Sequence, residues 1–342
     1  MGARGAALAR LGVAVAVLAA ASLAWLHPWT RPPVPPAEIK SVQVLSATTA
    51  VVLTDDRLAY ETRDAGASWR SFAVVADSEV RFVDPLHGFQ TTEDRLLATA
   101  DGGRSWQPRQ LPPGQHYAPA AWFLDAQHGW YLNLNYLPGT GLPRTLYRTF
   151  DGGRSWQWTW SGTSGTAQVP LFADPEHGWM AADLSVLATA DGGQTWQKVP
   201  APLLGARAGV RLAGPALVEY SSRLSSAGEV VWEAATSADG GASWSPPVLA
   251  PPTGIIDLEF ADARHWRAIS RAQVWRTDDA GLSWQPLTPR LPAGDWLDST
   301  SYLDADRGWA LAGTQPSAFP TRLLRTADGG GSWTEVALPQ LG

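Results

Sequence analysis

The residues of this 342-residue sequence that could do chemistry are a recurring arginine, a tyrosine beside a glutamate, and six histidines. The arginine lies six to eight residues before an aspartate that recurs along the chain. A planar guanidinium binds carboxylates through paired hydrogen bonds, so a ring of such arginines suits an acidic peptide. The candidate binding residues are Arg57, Arg95, Arg144, Arg271 and Arg322. The competing interpretation is that they are hairpin residues neutralised by neighbours such as Asp56 and Asp94.

Catalytic and metal-binding groups are weaker candidates. Tyr220 follows Glu219 in the sequence. A tyrosine nucleophile activated by a carboxylate is one route to glycoside hydrolysis. Neighbouring residues of a strand face opposite ways, however, so these two side chains cannot easily share a site. Four histidines occupy the same turn in different repeats. If the repeats form a ring, equivalent residues lie far apart, so these side chains cannot meet at one metal ion. They are His87, His128, His177 and His265. We therefore expect no catalytic residue, no metal and no cofactor.

Composition excludes further classes of function. The sequence has no cysteine, which excludes a disulfide framework, a thiolate metal site, a cysteine nucleophile and a lipoprotein acyl anchor. Its net charge of −6, without basic runs, gives no support to nucleic-acid binding. The 33 glycines, 27 prolines and 19 tryptophans suit many short strands joined by tight turns.

The elements that must position these residues are set by an octapeptide, Thr-Ala-Asp-Gly-Gly-Arg-Ser-Trp at residues 99–106. It recurs in variant form with a period of roughly 40–50 residues, which is typical of propeller blades. The seven copies end at Trp69, Trp106, Trp156, Trp196, Trp244, Trp284 and Trp333. The fifth position is always glycine, whereas the fourth is alanine at Ala65 and Ala280. The fifth position therefore needs a positive φ or has no room for a Cβ atom.

The third position of the octapeptide is always aspartate, and the seventh is serine or threonine. A short carboxylate accepts backbone N–H bonds from the turn that follows, and the hydroxyl adds a local bond. We predict that each copy is a self-capped hairpin turn, called the octapeptide turn below. The closing tryptophan should begin the next strand and donate its indole N–H to a nearby carbonyl.

A second repeat, Phe-x-Asp-x-x-His-Gly-Trp, precedes the octapeptide in most copies and indicates strand, turn and strand. Together the two repeats predict a four-stranded blade. Its strands are clearest in blade 2, at Val80–Val83, Gly88–Thr91, Leu96–Ala100 and Trp106–Arg109. Blade 1 contains four candidate strands of its own, so the ring should close by packing of blade 1 against blade 7, with exchange of an N-terminal strand as the alternative.

These motifs resemble known repeats. The octapeptide resembles the Asp box, or bacterial neuraminidase repeat, and the two repeats in tandem are similar to those of the photosystem II stability and assembly factor family between Ile39 and Leu338. That resemblance implies a seven-bladed propeller placed beyond the membrane. Sialidases also carry the box, but their Phe/Tyr-Arg-Ile-Pro segment is absent here, as is the lipidation cysteine of the common cyanobacterial form.

The predicted fold is all-β: a seven-bladed β-propeller of four-stranded antiparallel blades at residues 39–342, preceded by one N-terminal hydrophobic helix. Residues 11–30 carry no formal charge and follow two arginines, so residues 1–30 form a signal peptide or a retained signal anchor. Cleavage could follow Ala24, but Trp25 and Trp29 favour the anchor. Residues 31–38 form a proline-rich spacer.

The predicted function is that of an exported, membrane-tethered, non-catalytic propeller that binds a protein partner carrying an acidic segment. It would lie outside the cytoplasm, in the periplasm or at the cell surface, and would be secreted if the leader is cleaved. The alternative is a sialidase-like glycoside hydrolase or carbohydrate-binding propeller, which needs a deep central pocket with convergent carboxylates. Long loops between second and third strands are expected at residues 133–144, 221–229 and 313–322.

Overall fold

The computed structural model describes residues 39–338, with the exception of residues 56, 77, 114–116, 135–143, 163–168, 183–184, 204–208, 227, 229, 252–254, 271–272, 292–295 and 314–319. The described strands form seven four-stranded antiparallel sheets, each in the order first, second, third, fourth. This confirms the predicted seven-bladed propeller. The predicted N-terminal helix and the spacer at residues 31–38 lie outside the described residues.

The strands, four to a blade in chain order, are β1 (Ile39–Val44), β2 (Ala50–Thr54), β3 (Leu58–Thr62), β4 (Arg70–Ala73); β5 (Glu79–Phe82), β6 (Gly88–Thr91), β7 (Leu96–Thr99), β8 (Gln107–Arg109); β9 (Tyr117–Phe123), β10 (Gly129–Leu134), β11 (Arg144–Thr149), β12 (Gln157–Gly162); β13 (Leu171–Phe172), β14 (Gly178–Ala182), β15 (Ser185–Thr189), β16 (Gln197–Val199); β17 (Gly209–Ala213), β18 (Ala216–Leu224), β19 (Val230–Ser237), β20 (Val248–Leu249); β21 (Ile255–Phe260), β22 (Trp266–Ser270), β23 (Val274–Thr277), β24 (Gln285–Leu287); β25 (Trp296–Tyr302), β26 (Gly308–Gly313), β27 (Arg322–Thr326) and β28 (Thr334–Val336). The four strands of blade 2 agree with their predicted bounds to within one residue at each end.

Blade 5 differs from the sequence-based expectation. The first four residues of the predicted loop at 221–229 are strand, because β18 continues to Leu224 and pairs with β19 from Val230 onward. An ion pair between Arg223 and Glu233, at 2.7 Å, holds this extension together. Most of the other two predicted loops, at 133–144 and 313–322, lies outside the described residues.

The octapeptide turn is held by the same four hydrogen bonds in every blade. In blade 2, Thr99 Oγ1 donates to Asp101 Oδ1 at 2.8 Å and accepts the Gly103 N–H at 2.9 Å. Ser105 donates its N–H to Asp101 Oδ1 at 2.9 Å and its hydroxyl to Oδ2 at 2.7 Å. The bonds from Ser105 and Thr99 lower the pKa of Asp101 to about 2, so the carboxylate stays charged and the cap holds at neutral pH.

Glycine is required at the fifth position because of backbone conformation. The seven glycines there have φ between 82° and 101°. The backbone of the fourth position is also left-handed, which the sequence did not indicate. Its φ values are smaller, however, and are 59° at Ala65 and 61° at Ala280. An L-residue reaches the region near 60° at modest cost, whereas φ near 90° lies beyond it.

Four closing tryptophans join one blade to the next. Each donates its indole N–H to a carbonyl at or just after the fourth strand of the preceding blade. The pairs are Trp69 with Ala337, Trp156 with Gln110, Trp244 with Pro200 and Trp284 with Leu249, at 2.8 to 3.1 Å. Each of these indoles therefore joins two blades in two ways. Its N–H forms a hydrogen bond to the preceding blade, and its apolar surface packs at the interface between the two blades. The predicted bond to a nearby carbonyl thus forms at these four, whereas Trp196 donates within its own turn to Gly193 O at 3.0 Å, and the buried indole N–H groups of Trp106 and Trp333 have no hydrogen-bond partner among the described residues.

The ring closes by packing of blade 1 against blade 7. Ile39, Trp309 and Val336 share one buried cluster, although they belong to the two ends of the chain. The Ile39 N–H donates to the carbonyl of Pro320 at 3.2 Å, and Trp69 adds the indole bond described above. Each blade therefore keeps its own four strands, as predicted.

The two central glycines of one turn give a matched test of backbone strain. Gly240 has φ of 71°, and a Cβ there would meet only Trp179 at 3.4 Å, whereas Gly241 has φ of 94° and a Cβ there would lie 3.1 Å from Val199. We expect Gly240→Ala to cost less than about 1 kcal/mol of unfolding free energy and Gly241→Ala to cost roughly 1–3 kcal/mol. Urea denaturation measures both, and equal losses would contradict this account of the turn.

Candidate binding face

The four strands of each blade are ordered from the first, nearest a central axis, to the fourth, farthest from it. The first strands of consecutive blades, β17, β21, β25 and β1, contact one another and so surround that axis. Because the strands are antiparallel, the octapeptide turns and the turns between first and second strands lie on one edge, here called the turn face. The loops between second and third strands lie on the opposite edge, here called the loop face.

The predicted arginines lie on the loop face, where third strands begin. Arg57 is in the turn between β2 and β3, Arg95 immediately precedes β7, and Arg144 and Arg322 are the first residues of β11 and β27. Arg271 lies outside the described residues. The four described arginines thus occupy equivalent positions in four blades, away from the first strands at the axis.

Three of these four arginines are partly neutralised or partly buried. Arg95 Nε lies 3.5 Å from Asp94 Oδ2, with both side chains exposed, and Arg322 Nη1 lies 3.9 Å from Glu335 Oε2. Arg144 is half-buried, and that burial lowers the pKa of its guanidinium. The pairing of Arg95 agrees with the competing interpretation, whereas the pairing of Arg322 with a fourth strand was missed.

Arg57 differs from the others in backbone and surroundings. Its φ of 66° is left-handed, a conformation that costs a residue with a Cβ about 1–2 kcal/mol. Together with Lys40 on β1 it lines a pocket of ≈ 190 Å³ between blades 1 and 2, whose described lining includes one carboxylate, Asp55. No described residue forms an ion pair with the Arg57 guanidinium. Among the described residues that line this pocket, two are cationic and one is anionic.

A second charged group lies on the first strands and was missed by the sequence analysis. Asp257 and Glu259 lie two residues apart on β21, so their side chains share one face and interact directly. Burial, followed by the charge of Asp257, raises the pKa of Glu259 to about 8, while Arg211 of β17 opposes the shift. The sequence does carry a signal for this group. Two acidic residues separated by one position within an otherwise apolar strand must lie on the same face of that strand.

This carboxyl pair does not have the geometry of a glycoside hydrolase. Hydrolysis places two carboxyl groups on either side of the scissile bond, about 5–5.5 Å apart in retaining enzymes and 6.5–9.5 Å apart in inverting ones. Asp257 and Glu259 instead contact each other, and Arg211 compensates their charge. The two carboxyl groups therefore interact with each other rather than standing on either side of a substrate.

Glu219 and Tyr220 point in opposite directions, as the sequence predicted. Glu219 is buried and accepts the Leu203 N–H at 3.2 Å, and burial raises the pKa of its carboxyl to about 7. Tyr220 packs on the other side of the sheet against Trp232 and Phe260. They cannot act as a nucleophile and its activating base.

The four recurrent histidines are turn residues. In each, Nδ1 lies 2.7 to 2.9 Å from a carboxylate oxygen of the aspartate three residues earlier. Within the part of the chain that is described, no group of three metal-ligating side chains occurs. Nor does any helix there reach the length and hydrophobicity of a membrane span.

Comparison with known proteins relates this ring to one family. No protein-family model matches the sequence. The photosystem II assembly lipoprotein Ycf48 of Synechococcus sp. (strain CC9902) is 27% identical over 266 residues, which are 75% of this chain and 73% of the relative. The chain is homologous to Ycf48.

Solved structures show the same fold. A structure of YCF48 bound to a D1 peptide has a TM-score of 0.59 at 17% identity, covering 88% of this chain and 97% of the other. An oligogalacturonate lyase from Vibrio parahaemolyticus reaches 0.57 at 9% identity, covering 88% and 89%. Since the fold is common to Ycf48 and to an enzyme, function depends on the site rather than on the fold.

The carboxyl pair predicts a pH dependence of stability. Glu259 has a raised pKa in the folded state, so the folded chain binds more protons than the unfolded chain between the ordinary pKa of 4.5 and about 8. Stability must therefore fall as pH rises through that window. Glu259→Gln should remove a large part of this decline, a few kcal/mol at most, and stabilise the protein at pH 8. Chemical denaturation at pH 5 and pH 8 measures the effect.

The exposed Glu79→Gln variant is the control for this measurement. It should leave the difference in stability between pH 5 and pH 8 unchanged. A Glu259→Gln variant with the same pH dependence as the unmodified chain would show that the carboxyl pair does not hold the proton.

Proposed function

We propose that this chain is a non-catalytic assembly propeller that binds a peptide segment of a protein partner on its loop face. The observation that carries the proposal is the homology to Ycf48, which is described as an assembly protein and has been solved with a D1 peptide. Peptide capture requires exposed hydrogen-bond donors on variable loops and no reacting group. The arginines at the starts of third strands supply such donors.

The centre of the proposed site is the pocket of Lys40 and Arg57. Two cations beside one described carboxylate leave the pocket with an excess of positive charge, which suits an acidic segment. Further positive positions extend around the same face at Arg95, Arg144 and Arg322, and Arg271 is the corresponding arginine of the blade 6 sequence. A left-handed backbone at Arg57, where glycine would be unstrained, supports a role for its side chain, because strain of this kind concentrates at functional positions.

The proposal includes export and membrane attachment. The relative from Synechococcus is a lipoprotein, whereas this chain has no cysteine to carry an acyl group. Residues 11–30 are uncharged and of a length that spans a bilayer, so they serve as the anchor in place of a lipid. In this proposal the proline-rich residues 31–38 are the spacer between the anchor and an extracytoplasmic propeller.

Replacement of Arg57 by glycine separates binding from folding. The variant loses the guanidinium and gains an unstrained backbone, so its stability should be unchanged or should rise by up to about 1 kcal/mol. Its affinity for a fluorescein-labelled hexapeptide of alternating Asp and Glu should fall by about tenfold, with weaker salt dependence than that of the unmodified chain. Fluorescence anisotropy at two salt concentrations measures both quantities.

Arg104→Ala is the matched control, because Arg104 is an exposed arginine of the octapeptide turn on the opposite face. It should bind the acidic hexapeptide as the unmodified chain does. Equal losses in the two variants would mean that binding depends on net charge and not on the pocket at blade 1.

A further inference from the structure

Guanidinium groups bridge blades on the turn face. In five places an arginine of one blade donates to a backbone carbonyl in the octapeptide turn of the next blade. The pairs are Arg70 with Gly102, Arg109 with Gly152, Arg148 with Asp191, Arg267 with Gly329 and Arg325 with Ala65. The turn carbonyls are thus built to accept a cationic donor from the side of the preceding blade.

Blades 3 and 4 allow a residue-by-residue comparison. Trp130, Arg148 and Gln157 are cross-strand neighbours on the second, third and fourth strands of blade 3. In blade 3, the Trp130 indole donates to Gly192 O at 3.1 Å and the Arg148 guanidinium donates to Asp191 O at 2.8 Å. Both donors of blade 3 therefore hold the turn of blade 4.

Blade 4 keeps the tryptophan and lacks the arginine. Its corresponding neighbours are Trp179, Ala188 and Gln197. The Trp179 indole donates to Gly240 O at 2.8 Å, as Trp130 does one blade earlier. Alanine at 188 cannot reach the carbonyl of Asp239, which corresponds to that of Asp191.

An aromatic side chain is missing at the same place. In blade 3 the Arg148 guanidinium lies 4.7 Å from the centre of the Phe150 ring, which covers it. The residue of blade 4 at that position is Ala190. A pocket of ≈ 460 Å³ opens at this point, and its lining includes Trp179, Ala188, Ala190 and Asp239.

The pocket is negatively charged. Asp191 and Asp239 both line it, and the hydroxyl and N–H bonds from Ser243 lower the pKa of Asp239 to about 2. Partial burial opposes the same shift in Asp191, but the bonds from Thr195 bring its pKa to about 2 as well. Both carboxylates are ionised at neutral pH, so the place vacated by the arginine retains the charges that attract a cation.

We propose that the pocket between blades 4 and 5 binds the guanidinium of an arginine side chain presented by a protein partner. The guanidinium takes the position that Arg148 occupies at the preceding interface, donating to the carbonyl of Asp239 beside the Trp179 indole. This site lies on the turn face and is separate from the pocket of Lys40 and Arg57 on the loop face. The protein therefore has two peptide-contacting positions of opposite charge on opposite faces.

The probe is the tripeptide acetyl-Gly-Arg-Gly-amide, observed by NMR of the Trp179 indole N–H, which Trp179→Phe assigns. A matched tripeptide carries citrulline, which has the shape of arginine without its charge. The arginine peptide should move the Trp179 signal and bind about tenfold more tightly than the citrulline peptide. Equal binding of the citrulline peptide would overturn the proposal.

Two variants test the position of the ligand. Ala188→Arg should supply the missing guanidinium from the chain itself, raise the melting temperature and reduce peptide affinity by about tenfold. Ala190→Phe restores the ring that covers the Arg148 guanidinium in blade 3 and should raise the affinity for the arginine peptide about threefold, which keeps the test open if Ala188→Arg folds poorly. Undiminished binding by a folded Ala188→Arg variant, or unchanged binding by a folded Ala190→Phe variant, would contradict the proposed site.

The converse variant should create a second site. Arg148→Ala empties the equivalent space between blades 3 and 4, so the arginine peptide should then also move the Trp130 indole signal. Failure of Trp130 to respond, in a folded Arg148→Ala variant, would show that these turn carbonyls do not accept an external guanidinium.

Discussion

The octapeptide turn is the element on which the rest of the propeller depends. Its aspartate holds the turn through three short hydrogen bonds, and the carbonyls of this aspartate and of the left-handed residue that follows it face the preceding blade. Guanidinium and indole donors of that blade then bind those carbonyls, as Arg148 and Trp130 do for the turn of blade 4. One local structure thus both closes a hairpin and joins two blades, which is why seven such turns suffice to specify the ring.

The fold was predictable because its constraints are local. A glycine with φ near 90°, a capping aspartate and a closing tryptophan recur at fixed offsets, and none depends on distant residues. The left-handed backbone at the fourth octapeptide position was not predicted. Alanine occurs there at Ala65, and an alanine normally indicates a right-handed or extended backbone, whereas φ of Ala65 is near 60°. The extension of β18 to Leu224 was missed because polar residues such as Ser221 and Ser222 indicate a loop until their cross-strand partners are known.

The candidate sites were less predictable because charge depends on partners that are distant in sequence. The neutralisation of Arg95 by Asp94 could be anticipated from adjacency, but the approach of Glu335 to Arg322 could not. The pocket of Lys40 and Arg57 joins a first strand to a hairpin turn. The space beside Ala188 becomes visible only when blade 4 is compared with blade 3, where Arg148 fills it.

We propose that the loop face, and not the axis or an active site, contacts the protein partner. Photo-crosslinking of the full-length chain in its own cells tests this, with p-benzoylphenylalanine at position 57 or, on the turn face away from the pocket at Ala188, at position 104. We expect a discrete crosslinked protein from position 57 and none of that size from position 104. The same product from both positions, or a product from position 104 alone, would contradict it.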